Sequence, residues 1–127
     1  MRRTNRIAFT FITAMSMSFT ALAADKACLL EGTVTLFGTT KEVKDCLQNT
    51  GVTEAVLKEI CQQVSNMAVQ AGAAPAKITY LNECPKPSQA SCAGFFGQPM
   101  TSYYYKRTEK LLANSKKSCE MQGGKWN

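Results

Sequence analysis

The stretch TEAVLKEICQQVSNMAVQA, Thr53–Ala71, decides how the rest of the chain is read. Val56, Ile60, Val64 and Met67 recur at i, i+4, i+8 and i+11, the period of one face of an α-helix. Leu57, Cys61 and Ala68 lie beside that ridge, while Lys58, Glu59, Gln62 and Asn66 fall mostly opposite. Thr53 offers a side-chain oxygen to the unpaired N–H groups of the first turn, and Glu54 suits the positive end of the helix dipole. Gly72 to Pro75 ends the run. An amphipathic helix needs a surface on which to lay its apolar side. Cys61 on that side reads as one end of a structural bridge and not as a reactive thiol.

The surface is sought in the flanking segments. Residues 28–37 read as a strand, because Thr33, Val34, Thr35, Leu36 and Phe37 are β-branched, aliphatic or aromatic. Gly38-Thr39-Thr40 reads as a turn, and 41–47 as the returning strand of a hairpin, with a short helix from Lys41 as the competing reading. After the helix, Ile78-Thr79-Tyr80-Leu81 reads as a third strand, stopped by Cys84-Pro85-Lys86-Pro87. Residues 85–102 carry Pro85, Pro87, Gly94, Gly97 and Pro99 and read as a long loop, a feature more often functional than short loops are. Tyr103-Tyr104-Tyr105 reads as a fourth strand. Thr108 caps a last helix to about Gln122, Gly123-Gly124 ends it, and Trp126 can fold back over apolar surface. The expected fold is α+β in the order ββα-ββα, a small antiparallel sheet with both helices on one face, stapled by disulfides.

Residues 1–23 read as a secretory signal peptide. Arg2, Arg3 and Arg6 form a positive n-region, Ile7 to Leu22 carries no charge, and Ala21-Leu22-Ala23 places small residues where a signal peptidase cuts. Cleavage is expected after Ala23, with Ala24 the second choice, leaving 24–127 as a single disulfide-rich domain. The cut removes three of the 15 basic residues, so the net charge falls from +6 to +3. A nucleic-acid partner loses its main support with that charge. No second apolar run is long enough to span a bilayer. The expected location is beyond the inner membrane, periplasmic or secreted.

The six Cys at 28, 46, 61, 84, 92 and 119 all follow the cleavage site. An even count in an exported chain points to three disulfides, each contributing about 2–4 kcal/mol. There is no CxxC and no His, so neither a metal site nor a redox motif is expected. Fifteen pairings are open. A helix folding back on the segment before it favours Cys46–Cys61 and Cys92–Cys119, which leaves Cys28–Cys84.

The absent His removes the commonest general base. The nine acids form no catalytic pattern, and Gly94-Phe95-Phe96-Gly97 lacks the Lys and the strand–helix setting of a phosphate loop. No enzymatic activity and no cofactor are expected. The candidate binding residues are Phe95, Phe96, Tyr103, Tyr104, Tyr105, Lys106 and Arg107, since Tyr and Arg are enriched in contact hot spots. The competing reading places the five aromatics in the core. In a strand Tyr104 faces away from Tyr103 and Tyr105, so both faces cannot be buried alike. The partner expected for such a patch is a protein, with an anionic envelope glycan or lipid as the lesser alternative.

The run Ser91-Cys92-Ala93-Gly94-Phe95-Phe96-Gly97-Gln98-Pro99-Met100, then Tyr103-Tyr104-Tyr105-Lys106-Arg107, then Ser118-Cys119-Glu120-Met121-Gln122-Gly123-Gly124-Lys125-Trp126, together with Asp45-Cys46, resembles a family of small secreted or periplasmic proteins of proteobacteria, pseudomonads especially. The resemblance implies export, disulfides and a compact α+β fold, and brings no catalytic residues. The expected function is an exported interaction module, a secreted factor acting on other cells or surfaces. The alternative is a periplasmic inhibitor or accessory protein of an enzyme. An inhibitor of a basic enzyme would be expected to be acidic, which the +3 charge disfavours.

Overall fold

The computed structural model describes residues 25–127; the expected signal peptide and its cleavage after Ala23 lie outside them. The elements are β1 (Ala27–Leu36), β2 (Thr39–Asn49), α1 (Glu54–Gln70), β3 (Lys77–Leu81), β4 (Ala90–Ala93), β5 (Met100–Tyr104), α2 (Glu109–Met121) and β6 (Lys125–Trp126). A single 3₁₀ turn, Phe95–Gly97, joins β4 to β5. The strands form one sheet in the order β3-β1-β2-β5-β4-β6, and every neighbouring pair is antiparallel. The α+β class and the disulfide-stabilised antiparallel sheet are as expected. The order ββα-ββα is not. β4 lies inside the segment read as loop, and β6 follows the last helix. Ala90-Ser91-Cys92-Ala93 has no β-branched residue to announce a strand; its pairing with β5 and with the chain end makes it one.

Both helices start as their sequences dictate. The Thr53 hydroxyl accepts from the Val56 N–H, and the Thr108 hydroxyl from the Leu111 N–H, each at 3.3 Å. Past α2, Gly123 takes φ +79, the left-handed turn that glycine makes without strain.

The register fixes the two faces of the sheet. Cys28 lies opposite Leu47 and Tyr80, Leu47 opposite Ser102, Ser102 opposite Cys92, and Cys92 opposite Trp126. Directly opposed residues share a face, so this row runs across the side that carries the helices. Cys28 bonds Cys61 of α1, and Cys92 bonds Cys119 of α2. Under α1 the core gathers Cys28, Leu30, Leu47, Leu57, Cys61 and Met100. The opposite face buries Ala27, Leu29 and Cys46 beneath the chain that follows β3, where Cys46 bonds Cys84.

The expected pairings Cys46–Cys61 and Cys28–Cys84 are therefore exchanged for Cys28–Cys61 and Cys46–Cys84, while Cys92 pairs with Cys119. The reason is strand alternation. Cys46 sits opposite Leu29 and Cys28 opposite Leu47, so Cys28 and Cys46 point to opposite faces, and only Cys28 looks toward α1. The Cys28–Cys61 bond also sets the rotation of the helix. Leu57, Cys61 and Ser65 are its buried stripe, while Val56 and Met67 of the predicted ridge stay exposed. Buried Ser65 is satisfied by accepting from the Ala76 N–H at 3.3 Å.

β1 and β2 outrun their neighbours. β3 pairs only with Ala27–Glu31, and β5 only with Asp45–Asn49. The far end of the hairpin projects as a ribbon that turns at Phe37 (φ 51) and Gly38 (φ 77), with the Phe37 side chain in solvent.

Candidate binding cleft

The packing of the helices leaves a gap. α1 rests on β1, and α2 rests on β4 and β6. The two strands between them, β2 and β5, are left to floor a cleft of about 430 Å³. Asp45, Leu47, Ser102 and Tyr104 make the floor, Val64 of α1 forms one wall, and α2 forms the other. Phe95, packed against the core under α1, and the exposed Phe96 at its rim complete the lining. A volume of this size is in the range of small-ligand sites.

One end of the cleft is closed by Arg107. Its Nη2 donates to Asp45 Oδ2 at 2.6 Å and its Nε to Asp45 Oδ1 at 3.3 Å. Its Nη1 donates to Ser115 Oγ at 2.6 Å, and that hydroxyl donates to the Leu111 carbonyl at 2.7 Å. The guanidinium lies 4.3 Å from the Tyr104 ring centroid, and Tyr104 stacks on Trp126 at 5.6 Å. The Arg107 backbone is clamped by Gln89, whose side chain accepts from its N–H at 2.8 Å and donates to its carbonyl at 3.0 Å. The pair is shielded: 26% of the Arg107 side chain and 15% of the Asp45 side chain are exposed. A two-pronged guanidinium–carboxylate contact also fixes direction, as a single lysine charge does not.

The sheet divides the predicted binding residues. Phe95, Phe96, Tyr104 and Arg107 reach the cleft. Tyr103 and Tyr105 pack on the opposite face near Cys46 and Cys84, as strand alternation requires. The Tyr105 hydroxyl donates to the Pro85 carbonyl at 2.7 Å. Burial, with the charges of Tyr103 and Asp45 adding to it, pushes the Tyr105 phenol up to about 12. Lys106 leaves the group altogether and bonds Glu42, holding that carboxyl below its usual range. Tyr104 is floor and not an open contact residue, with 5% of its surface exposed.

Phe96 is the most exposed of the cleft aromatics, at 43%. Its backbone sits at φ 53, ψ 29, a left-handed conformation that costs a non-glycine residue about 1 kcal/mol or more. Gly94 and Gly97, both at positive φ, bracket it. Its ring lies 4.4 Å from that of Phe95. On its other side a second groove of about 460 Å³ runs along Val56, Ile60 and Met67 of α1, so Phe96 partitions two hollows.

Sequence reasoning missed Asp45 and the α2 wall. Asp45 is one of the nine acids that form no catalytic pattern in the sequence. Its position one residue before a strand Cys was the available signal, since alternation puts it on the face opposite Cys46. Asn114, Ser118 and Gln122 are not among the expected site residues; their i, i+4, i+8 spacing is the signal that places them on one side of α2. Among the described residues no group of His, Cys, Asp and Glu is arranged to hold a metal ion, and no helix is long and apolar enough to cross a membrane. No protein-family model, no curated protein and no solved structure matches the chain.

Proposed function

We propose that this chain is an exported, non-enzymatic binding protein, and that the cleft between α1 and α2 is its recognition site. The observation that carries the reading is Phe96: an aromatic side chain held 43% exposed at the cleft rim by a left-handed backbone. Strain of this kind persists where the surroundings hold it, and such places gather at ligand contacts. The charged leader at Arg2, Arg3 and Arg6 and the six paired cysteines support export to an oxidising compartment. The absence of His from the sequence supports binding over catalysis.

The test is crosslinking in the producing cells. A photoreactive residue at Ser118, beside the cleft, is expected to give a discrete adduct. The same residue at Thr79, on the opposite face, is expected to give none. Equal adducts from both positions, or none from either, overturn the cleft as the site. Fractionation separates the two versions of the role: a released factor collects in the medium, whereas an inhibitor or accessory protein of a periplasmic enzyme stays in the periplasm.

A further inference from the structure

α2 offers the cleft an exposed polar row beside its buried stripe. Ser115 and Cys119 are its buried positions in the lining, while Leu111, Asn114, Ser118 and Gln122 are exposed, and of these four only Leu111 is apolar. The last three stand one above another at four-residue intervals. Beneath them the floor contributes Ser102, a hydroxyl with 2% of its residue surface exposed.

The charges of the cleft cancel. Asp45 and Arg107 are the charged side chains in its lining, and they bond each other. A phosphate, carboxylate or ammonium ligand would find no unpaired counter-charge there. The remaining polar groups are hydroxyls and amides, which both donate and accept. Their natural complement is a ligand whose own polar groups do both, which is a row of hydroxyls. Phe95, Phe96 and Leu111 add apolar surface beside that row. A molecule with a hydroxyl edge, an apolar C–H face and no net charge is a neutral saccharide. We infer that the cleft binds a short neutral saccharide, with Asn114, Ser118 and Gln122 bonding its hydroxyls and Phe96 against a ring face. This rests on the reading of the cleft as the binding site, and replaces the protein partner expected from the sequence.

The experiment titrates the oxidised protein with maltotriose, cellotriose, mannotriose and chitotriose, with a sulfated oligosaccharide as the charged comparison. Side-chain amide resonances of Asn114 and Gln122 report the cleft directly. A saturable shift is expected with at least one neutral trisaccharide and none with the sulfated one. Asn114→Ala, Ser118→Ala and Gln122→Ala combined are expected to weaken that binding about tenfold or more, with the melting temperature unchanged because all three are exposed. Phe96→Ala is expected to weaken it as well. No saturable shift with any of the four, equal binding of the sulfated sugar, or indifference to the triple variant each overturns the saccharide assignment. A protein adduct at Ser118 with no sugar response ends the saccharide assignment and leaves the cleft as the binding site. Failure of both removes both.

Discussion

Replacing Arg107 tests whether one buried corner organises the cleft. Removing one partner of a fully buried ion pair costs about 3–5 kcal/mol, because the other charge is left behind. Here Asp45 and Arg107 keep 15% and 26% of their side chains exposed, so water and salt relieve part of that cost, and about 2–3 kcal/mol is expected for Arg107→Ala. Loss of the contact with the Tyr104 ring adds about 0.5–1 kcal/mol, giving about 3 kcal/mol in all. A domain of this size loses roughly 4–8 °C of melting temperature per kcal/mol. Arg107→Lys is the more discriminating variant. It keeps the charge, yet one ammonium cannot serve both Asp45 oxygens and Ser115 Oγ while covering a ring. A cost of about 1–2 kcal/mol is expected. Urea unfolding of the oxidised protein measures each value, and a double-mutant cycle with Asp45→Ala isolates the pair. A lysine variant within about 0.5 kcal/mol of the parent, or a vanishing coupling in the cycle, would mean that the contact is an ordinary surface pair, and the reasoning about the cleft end fails.

Two further outcomes follow from the packing. A Cβ at Gly124 would lie 2.8 Å from both Cys92 Sγ and Cys119 Sγ and 2.9 Å from the Ala93 carbonyl; Gly124→Ala is therefore expected to cost about 1–3 kcal/mol, read by calorimetry, and a neutral result refutes the close seating of the chain end on that bond. Tyr105 titrates from an ordinary 10.0 up to about 12 in the folded chain, so the unfolded chain gives up this proton first and stability from this group falls as pH rises from about 10 to about 12, then levels. Tyrosinate absorbance against pH, paired with stability curves for the parent and Tyr105→Phe, checks it; an equal alkaline decline in both proteins refutes the assignment.

What could be read beforehand was whatever the chain encodes locally. The α1 and α2 boundaries follow from Thr53, Thr108 and Gly123, whose effects act within one turn. The β1–β2 hairpin follows from β-branched residues running into a glycine turn. What escaped depended on partners far along the chain. β4 is a strand because β5 and the Trp126 segment pair with it, and nothing in Ala-Ser-Cys-Ala says so. The pairing of Cys28 with Cys61 followed from which face each strand residue takes, and a one-residue difference in register would have reversed it. The candidate site was half legible. The aromatic run and Arg107 stood out by composition, whereas the sheet that separates Tyr103 and Tyr105 from Tyr104 could be anticipated only as alternation. Asp45 and the Asn114-Ser118-Gln122 row look like solvated helix and strand positions until the gap between the helices is seen.

The exchange of cysteine partners bears on how the chain reaches its folded state. Cys28–Cys61 and Cys46–Cys84 interleave along the sequence. A chain oxidised in the order of its cysteines, N-terminus first, would join Cys28 to Cys46 and trap itself. The hairpin forestalls that error, because once β1 and β2 pair, the two thiols stand on opposite sides of the ribbon. Hairpins close in about 1–10 μs, whereas disulfides form over seconds to hours. While the first two strands stay paired, Cys46 faces the side that carries Cys84 and Cys28 faces the side that carries Cys61.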